Sequence, residues 1–304
     1  MVDLPLLALT LAGLSALFFS LQGVMNRKAV LGRDIIAGSY LSVVVTVPLL
    51  LPAVILDGNI SSIFSTTPKS LLFLAMVGLS HYMIGRTLNA ASVKAIGITR
   101  SIPLRETAIL HSAAYGLLFL NESLSIAAGF AIGLMAFGVV ITAMSGEAIS
   151  NDRGLNRKIL IKGIFFGLLG ASFWGMSPVF AKAALPGVAS PILATWIAFI
   201  FAALGYTGFQ GIRGKIGNVR GLGRSGIFFF AMTGLFAAGA QMTRFLALDM
   251  ANFFTVIPFQ MGINPVITLV ISFILIRRIE SIDRWVVSGV GVATLGAVII
   301  ASGV

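Results

Sequence analysis

The chain reads as an all-α integral membrane protein with ten transmembrane helices built from two inverted five-helix repeats. Three observations carry that reading. Hydrophobic residues make up 58% of the 304 residues and charged residues only 10%, where an ordinary soluble domain carries about 25% charged residues. The apolar residues fall into ten runs of roughly the 20 residues that a helix needs to cross a ~30 Å hydrocarbon core. The two halves of the chain also match each other when overlaid, the mark of an internal repeat.

The ten runs lie at 4–25, 35–56, 70–93, 98–120, 124–145, 159–185, 191–210, 225–248, 252–276 and 285–302. Polar punctuation separates them at Gly32-Arg33-Asp34, Asp57-Gly58-Asn59, Asn121-Glu122-Ser123, Ser145 to Lys158 and Gly211 to Arg224. Outer-membrane strands would read as alternating segments of ~10 residues, and these runs are longer and do not alternate. The 34 Gly and 10 Pro do not oppose helices, because neighbouring membrane helices satisfy the backbone groups that such residues free. Mean hydropathy is +1.02. The N-terminus lacks the basic segment of a cleaved signal, so the first run is expected to be a retained span.

Net charge is +11 and the pI about 10.7. The basic residues sit in gaps between apolar runs and not on one polar face, which fits loops facing anionic lipid and excludes nucleic acid as a partner. The absence of Cys removes thiolate metal sites, disulfides and cysteine nucleophiles. No cofactor or metal site is expected.

The repeat shows in three places. Gly13, Phe19 and Lys28 fall on Gly167, Phe173 and Lys182 with a shift of 154. Ala75 to Leu79 and Ala231 to Leu235 share Ala-Met-x-Gly-Leu. Glu122, Ser123, Gly133 and Gly138 fall on Glu280, Ser281, Gly291 and Gly296 with a shift of 158. Five spans per repeat is an odd number, so the second repeat must run through the membrane in the opposite sense. The organisation is a first repeat at 1–145, a connecting loop at 146–158 and a second repeat at 159–304. This is the plan of secondary carriers, whose sites lie near the midplane between the repeats.

Phe173-Trp174-Gly175 followed by Pro178 and Lys182 in span 6, Glu122 and Glu280 before spans 5 and 10, and the glycine-rich character of those two spans resemble the EamA-type members of the drug/metabolite transporter superfamily. The resemblance covers essentially the whole chain. It implies a ten-helix carrier that moves small organic metabolites by alternating access, in many members as an exporter, without ATP hydrolysis. The chain departs from the family pattern at Ser20-Leu21, where span 6 has Trp174-Gly175, and at Asn121-Glu122 and Ile279-Glu280, where relatives usually have Gly-Glu.

Charged residues inside the spans carry the functional information. Arg86 lies in span 3, Arg105 and Glu106 in span 4, and Arg244 in span 8. Each costs about 2.5–3.5 kcal/mol at a helix centre, so each is expected to face the bundle interior or a wet cavity. One reading is an ion pair of Glu106 with Arg86 or Arg105 that holds spans 3 and 4 together. Three cations against one anion leave a surplus that a bound anion would compensate, and the planar guanidinium fork suits carboxylate or phosphate. The expectation is that Arg86 and Arg105 hold the anionic end of a substrate and that Arg244 acts from the other side of the midplane.

Neutral polar residues follow the same lines. Tyr82, Arg86 and Asn89 share a face by helical spacing, as do Gln241 and Arg244. Gln260, Asn264 and Thr268 form a polar stripe in span 9, serving either as pocket lining or as interhelical hydrogen bonds. Asn264 takes the place of Glu106 under the 158 shift. Trp174 and Trp196 lie inside the membrane, as cavity wall or core packing. Trp285 is read as an interface anchor. His81 and His111 read as packing residues, and Glu106 as the better proton site. Pro103, Pro258 and Pro265 are expected to break or kink spans 4 and 9. Glu122 and Glu280 suit helix starts. The pairs Gly163 with Gly167 and Gly129 with Gly133 read as close-packing motifs, those of spans 5 and 10 with a possible homodimer.

The function expected is therefore a secondary carrier, an exporter or exchanger, for a small anionic or zwitterionic metabolite such as an amino acid or a carboxylated or phosphorylated compound. The candidate binding residues are Tyr82, Arg86, Asn89, Arg105, Glu106, Trp174, Gln241, Arg244, Gln260 and Asn264. Its partners would be the substrate, the lipid bilayer of the cell inner membrane and protons as coupling ion. One alternative is a proton-coupled exporter of hydrophobic cations using Glu106, which three interior arginines oppose. The other is a membrane enzyme acting on lipid head groups, which the scattered acids do not support.

Of the 21 Lys and Arg, 16 lie in or beside loops that follow odd-numbered spans, and only Lys69 and Lys182 lie on the other side. The positive-inside rule then places the odd loops in the cytoplasm and both termini outside, whereas the resemblance implies both termini inside. A chain without native Cys allows a direct check. With cysteines installed by Ser61→Cys and Ser150→Cys, an impermeant maleimide added to intact cells should label position 61 and spare position 150. The reverse pattern would invert the orientation.

Overall fold

The computed structural model describes residues 4–30, 33–96, 101, 104–120, 124–143, 157–275 and 284–302. Every regular element among them is a helix: α1 (Leu4–Val30), α2 (Ile35–Leu56), α3 (Pro68–Val77), α4 (Arg86–Ile96), α5 (Ala108–Phe119), α6 (Ile126–Ala143), α7 (Arg157–Ala184), α8 (Pro191–Ile212), α9 (Gly223–Met250), α10 (Phe253–Leu275) and α11 (Arg284–Ala301). A π-helical stretch, Gly78–Gly85, joins α3 to α4, and 3₁₀ turns occupy Ile60–Ser65, Leu185–Gly187 and Ile216–Leu222. Helix lies within each of the ten expected runs. Among the described residues seven helices are long and apolar enough to cross a membrane, while the apolar stretches of α6 and α11 are shorter, at Ile126–Ile141 and Val287–Ile300. The connecting loop to Asn156, Glu122, Ser123, Pro103, Glu280 and Ser281 lie outside the described residues.

Local chemistry starts several helices. The Asp34 carboxylate accepts from the amides of Ile36 and Ala37 at the head of α2. Thr67 caps α3 with Pro68 in the first turn, and Ser190 caps α8 with Pro191 in the first turn. Capping oxygens satisfy orphan amides, and proline loses nothing where its missing N–H would have been unpaired. One expectation is corrected here. Pro258 and Pro265 do not break span 9, because α10 runs continuously through both. Pro48 and Pro52 are carried inside α2 and Pro178 inside α7 in the same way. In an apolar solvent a helix keeps the rest of its hydrogen bonds, since opening them to hydrocarbon costs more than the one that each proline removes.

The chain packs as two compact units that do not coincide with the two repeats. The first comprises Met1–Met83 and Phe180–Ala251, and the second Ile84–Val179 and Asn252–Val304. Each therefore contains helices of both repeats. In the first unit α1 packs on α9 in antiparallel register, the Ser15 hydroxyl donating to Ala240 O at 2.7 Å and Phe18 stacking on Phe236. The Thr46 hydroxyl donates to Gly234 O at 3.0 Å, tying α2 to α9.

Helix contacts come in reciprocal pairs. In the second unit a Cβ at Gly138 would stand 2.5 Å from Gly289 O, and one at Gly296 would stand 2.5 Å from Ala131 O. Residues 131 and 289, like 138 and 296, differ by 158, so α6 and α11 exchange equivalent contacts in antiparallel register. The first unit repeats the device: Gly78 lies against Ala198 O and Gly234 against Ser42 O, and both equivalent pairs differ by 156. Lipid tails supply no hydrophobic drive between helices, so close backbone approach at small residues does the holding. Gly129 and Gly133, expected to pack against a neighbour, differ from these. A Cβ on Gly133 would meet nothing within 4 Å, and one on Gly129 only the Leu124 side chain at 3.6 Å. In this chain α6 meets α11 through Gly138 instead.

Substitution separates the two kinds of glycine. Gly138→Leu should destabilise the protein by about 1–3 kcal/mol through overpacking, whereas Gly133→Ala should stay within about 0.5 kcal/mol of the parent. The thermal midpoints of the detergent-solubilised variants report this, and equal shifts would show that the α6–α11 crossing does not depend on backbone approach.

Candidate binding site

The first unit gathers one buried polar cluster, and both repeats contribute to it. From α9 come Gln241 and Arg244, 1% and 4% exposed, one helical turn apart as their spacing implied. The π-helical stretch contributes His81 and Tyr82, the latter fully buried. The Arg244 guanidinium lies over the Phe19 ring of α1, 4.4 Å from its centroid. His81 meets the Tyr82 ring edge-on at 4.9 Å and places Nε2 3.3 Å from Gln241 Nε2. On its other side Tyr82 stacks on Phe199 of α8, with centroids 4.2 Å apart and planes 6° from parallel.

These positions follow from local structure. A π-helix is widened relative to an α-helix and is found mostly as short insertions at functional sites. Here it occupies the stretch that carries His81 and Tyr82, so the α-helical spacing that united Tyr82 with Arg86 and Asn89 applies only from Arg86 onward. The division between units falls in the same stretch, after Met83. Tyr82, Gln241 and Arg244 thus belong to the first unit, while Arg86, Asn89, Arg105, Glu106, Trp174, Gln260 and Asn264 belong to the second.

In the second unit Arg105 and Glu106 pair with each other, Nε and Nη2 donating to one carboxylate oxygen at 2.9 and 2.5 Å. The two groups are 37% and 27% exposed. Of the two pairings expected for Glu106, with Arg86 or with Arg105, this is the second, and it joins neighbours in one chain segment. Gln260 is buried at 2%, and Asn264, Thr268, Arg86 and Asn89 are half-buried. Trp174 is half-buried beside Gly175, where a Cβ would stand 2.7 Å from Ala108 O. His111 lies in α5, with Nδ1 3.0 Å from its own helix's Thr107 O, in keeping with a packing role.

Two residues singled out by sequence have structural partners. The Lys182 ammonium donates to Leu248 O and Ala251 O at 2.6 and 2.7 Å, so it caps the end of α9, where a cation also suits the helix dipole. Trp196 Nε1 donates to Val47 O at 3.0 Å and joins α8 to α2. Residues not expected in the site are Phe19, His81 and Phe199. Phe19 carried one signal, its equivalence to Phe173 in the repeat. Phe199 carried none, being one apolar residue in an apolar run.

A guanidinium held on an aromatic face gains cation–π attraction, worth about 2 kcal/mol or more when desolvated. With an amide one turn away, such a group offers bidentate donors to a carboxylate or phosphate.

One solved crystal structure superposes on this chain with a TM-score of 0.73, covering 96% of this chain and 97% of its own at 11% sequence identity, a likeness of fold alone. No curated protein matches the sequence. The family model described as the EamA-like transporter family matches residues 6–144 and again 161–302, once for each repeat. With nearly the whole length so matched, the chain belongs to the EamA-like transporter family, a multi-pass membrane transporter.

Proposed function

We propose that the protein is a secondary-active carrier of a small organic anion or zwitterion, working by alternating access as an exporter or exchanger in the cell inner membrane. The observation that carries this reading is Arg244. It is 4% exposed within an apolar helix and set among side chains of both repeats. A charge is retained at such cost mainly where it meets a counter-charge in function. The reciprocal antiparallel contacts of α6 and α11 support two inverted repeats, and with them ten crossings. Arg244 and Gln241 would bind the anionic group, with Phe19, His81 and Tyr82 fixing the guanidinium and the amide. Export of hydrophobic cations through Glu106 is disfavoured by the Arg105 pairing, which already neutralises that carboxylate. A lipid-modifying enzyme finds no support in the family match.

Ligand binding to the folded state raises its stability by mass action. The purified protein, screened by thermal shift, should be stabilised by one or more carboxylated or phosphorylated metabolites or amino acids and not by cationic drugs. Arg244→Ala should weaken that binding by about 10- to 100-fold, the scale of a lost hydrogen bond to a charged group. Arg244→Lys should fall between, keeping the charge without the planar fork. Stabilisation by cations alone, or unchanged anion binding in Arg244→Ala, would overturn the reading.

A further inference from the structure

One end of the first unit carries a folded basic platform. Between α8 and α9 the 3₁₀ turn Ile216–Leu222 is bounded by Gly214 and Gly223, at φ +62° and +68°. Glycine makes such corners without a Cβ penalty. Leu222 is 3% exposed and packs with Ala29, Ala37 and Phe230, with Val219 and Phe229 against them. The segment is therefore docked on the ends of α1 and α2. Arg33 secures the same corner, donating to Lys28 O and Ala29 O at 3.2 and 3.0 Å and to the Ser225 hydroxyl at 3.4 Å.

Docking turns the other side chains outward. Arg213, Lys215, Arg220 and Arg224 are all exposed, and no acid occurs between Gly211 and Gly226. Asp34, the nearby acid, is committed to the α2 cap. Among these cations stand two bare aliphatic side chains, Ile212 at 91% and Ile216 at 45% exposed. Arg213 lies over the Phe209 ring of the last turn of α8, 5.3 Å from its centroid. Cations alone would suit any polyanion. Cations beside exposed isoleucines, at the end of a helix long and apolar enough to span a membrane, suit a surface that is anionic at head-group level and hydrocarbon just beneath.

We infer that this platform binds the phosphate head groups of anionic phospholipids in the adjoining leaflet, with Ile212 and Ile216 entering the acyl boundary. The occupant is the lipid and not a free anion, because inorganic phosphate would leave both isoleucines in water. The site is separate from the Arg244 cluster and does not depend on the transport reading.

The test uses the full-length protein in mixed micelles, titrated with phosphatidylglycerol, with phosphatidylcholine and with inorganic phosphate alone, and read as the shift of the thermal midpoint. Phosphatidylglycerol should stabilise the parent more than phosphatidylcholine, and 0.5 M NaCl should reduce the difference by screening. Each basic residue near an anionic surface contributes about fivefold in affinity. The variant Arg213→Gln/Lys215→Gln/Arg220→Gln/Arg224→Gln should therefore need on the order of 600-fold more phosphatidylglycerol for half its effect, while its response to phosphatidylcholine stays at the parent level and reports an intact fold. Ile212→Ser/Ile216→Ser should weaken both lipid responses and leave the salt dependence unchanged. An unchanged phosphatidylglycerol response in the fourfold variant would overturn the proposal, as would equal stabilisation by inorganic phosphate. Should the fourfold variant lose its phosphatidylcholine response too, the Ile212→Ser/Ile216→Ser protein decides: a parental response to both lipids overturns the proposal.

Discussion

Close approach of helix backbones at small residues is the constraint on which the rest of this structure depends. In water, apolar faces would drive these helices together. In a bilayer the surrounding tails are as apolar as the helices, and association rests on van der Waals contact and a few interhelical hydrogen bonds. Gly78 against Ala198, Gly234 against Ser42, Gly138 against Gly289 and Gly296 against Ala131 are where backbones approach closely enough for that. Each pair is matched by its repeat equivalent. A packing solution found once in a duplicated sequence is available twice, which explains why both compact units draw on both repeats.

That arrangement also sets where polar groups can be tolerated. The Ser15 and Thr46 hydroxyls donate to carbonyls of α9, and Ser70 donates to Ala184 O at 2.7 Å. At the end of the first unit, the Ser190 hydroxyl donates to the Asp57 carboxylate at 2.5 Å, and Lys182 caps α9 close by. The contacts of Ser70, Ser190 and Lys182 fix helix ends, and those of Ser15 and Thr46 tie helix middles together. The cluster at Arg244 is different in kind, because it places a guanidinium, an amide and an imidazole among aromatic rings well inside the unit. Buried groups of that sort add little to stability unless fully matched, and their retention fits a binding role.

The two ends of the first unit are chemically unlike. Where α2 ends and α8 begins, Ser190 donates to the Asp57 carboxylate, while Ser70 and Lys182 donate to helix-end carbonyls. At the opposite end Arg33 and the docked 3₁₀ turn present exposed cations and aliphatic tips. A protein that must move substrate between two aqueous faces needs its helices anchored in depth, and charge–lipid contact at one face supplies that without adding buried polar groups.

Much of this was legible in the sequence. Helix lies within each run placed from the sequence, because hydrocarbon demands apolar stretches and closed backbone hydrogen bonds, and both demands are local. Arg244, Gln241 and Tyr82 stood out because a polar residue in an apolar run is conspicuous. Phe19 and Phe199 did not, since an aromatic among aliphatics has no contrast, and their roles depend on rings brought from other helices. Pro258 and Pro265 do not break span 9, because in lipid a helix keeps the hydrogen bonds that a proline does not itself remove. What the sequence by itself determined, then, is the all-helical membrane class and the duplication, both set by solvent-driven local pattern. Only the tertiary structure decided how helices of the two repeats combine into units, that Arg105 pairs with its neighbour Glu106, and that Lys182 is a helix cap. The first and last of these follow from contacts between segments far apart in the chain, which no periodicity encodes, and the second from the rotamers of two neighbouring side chains.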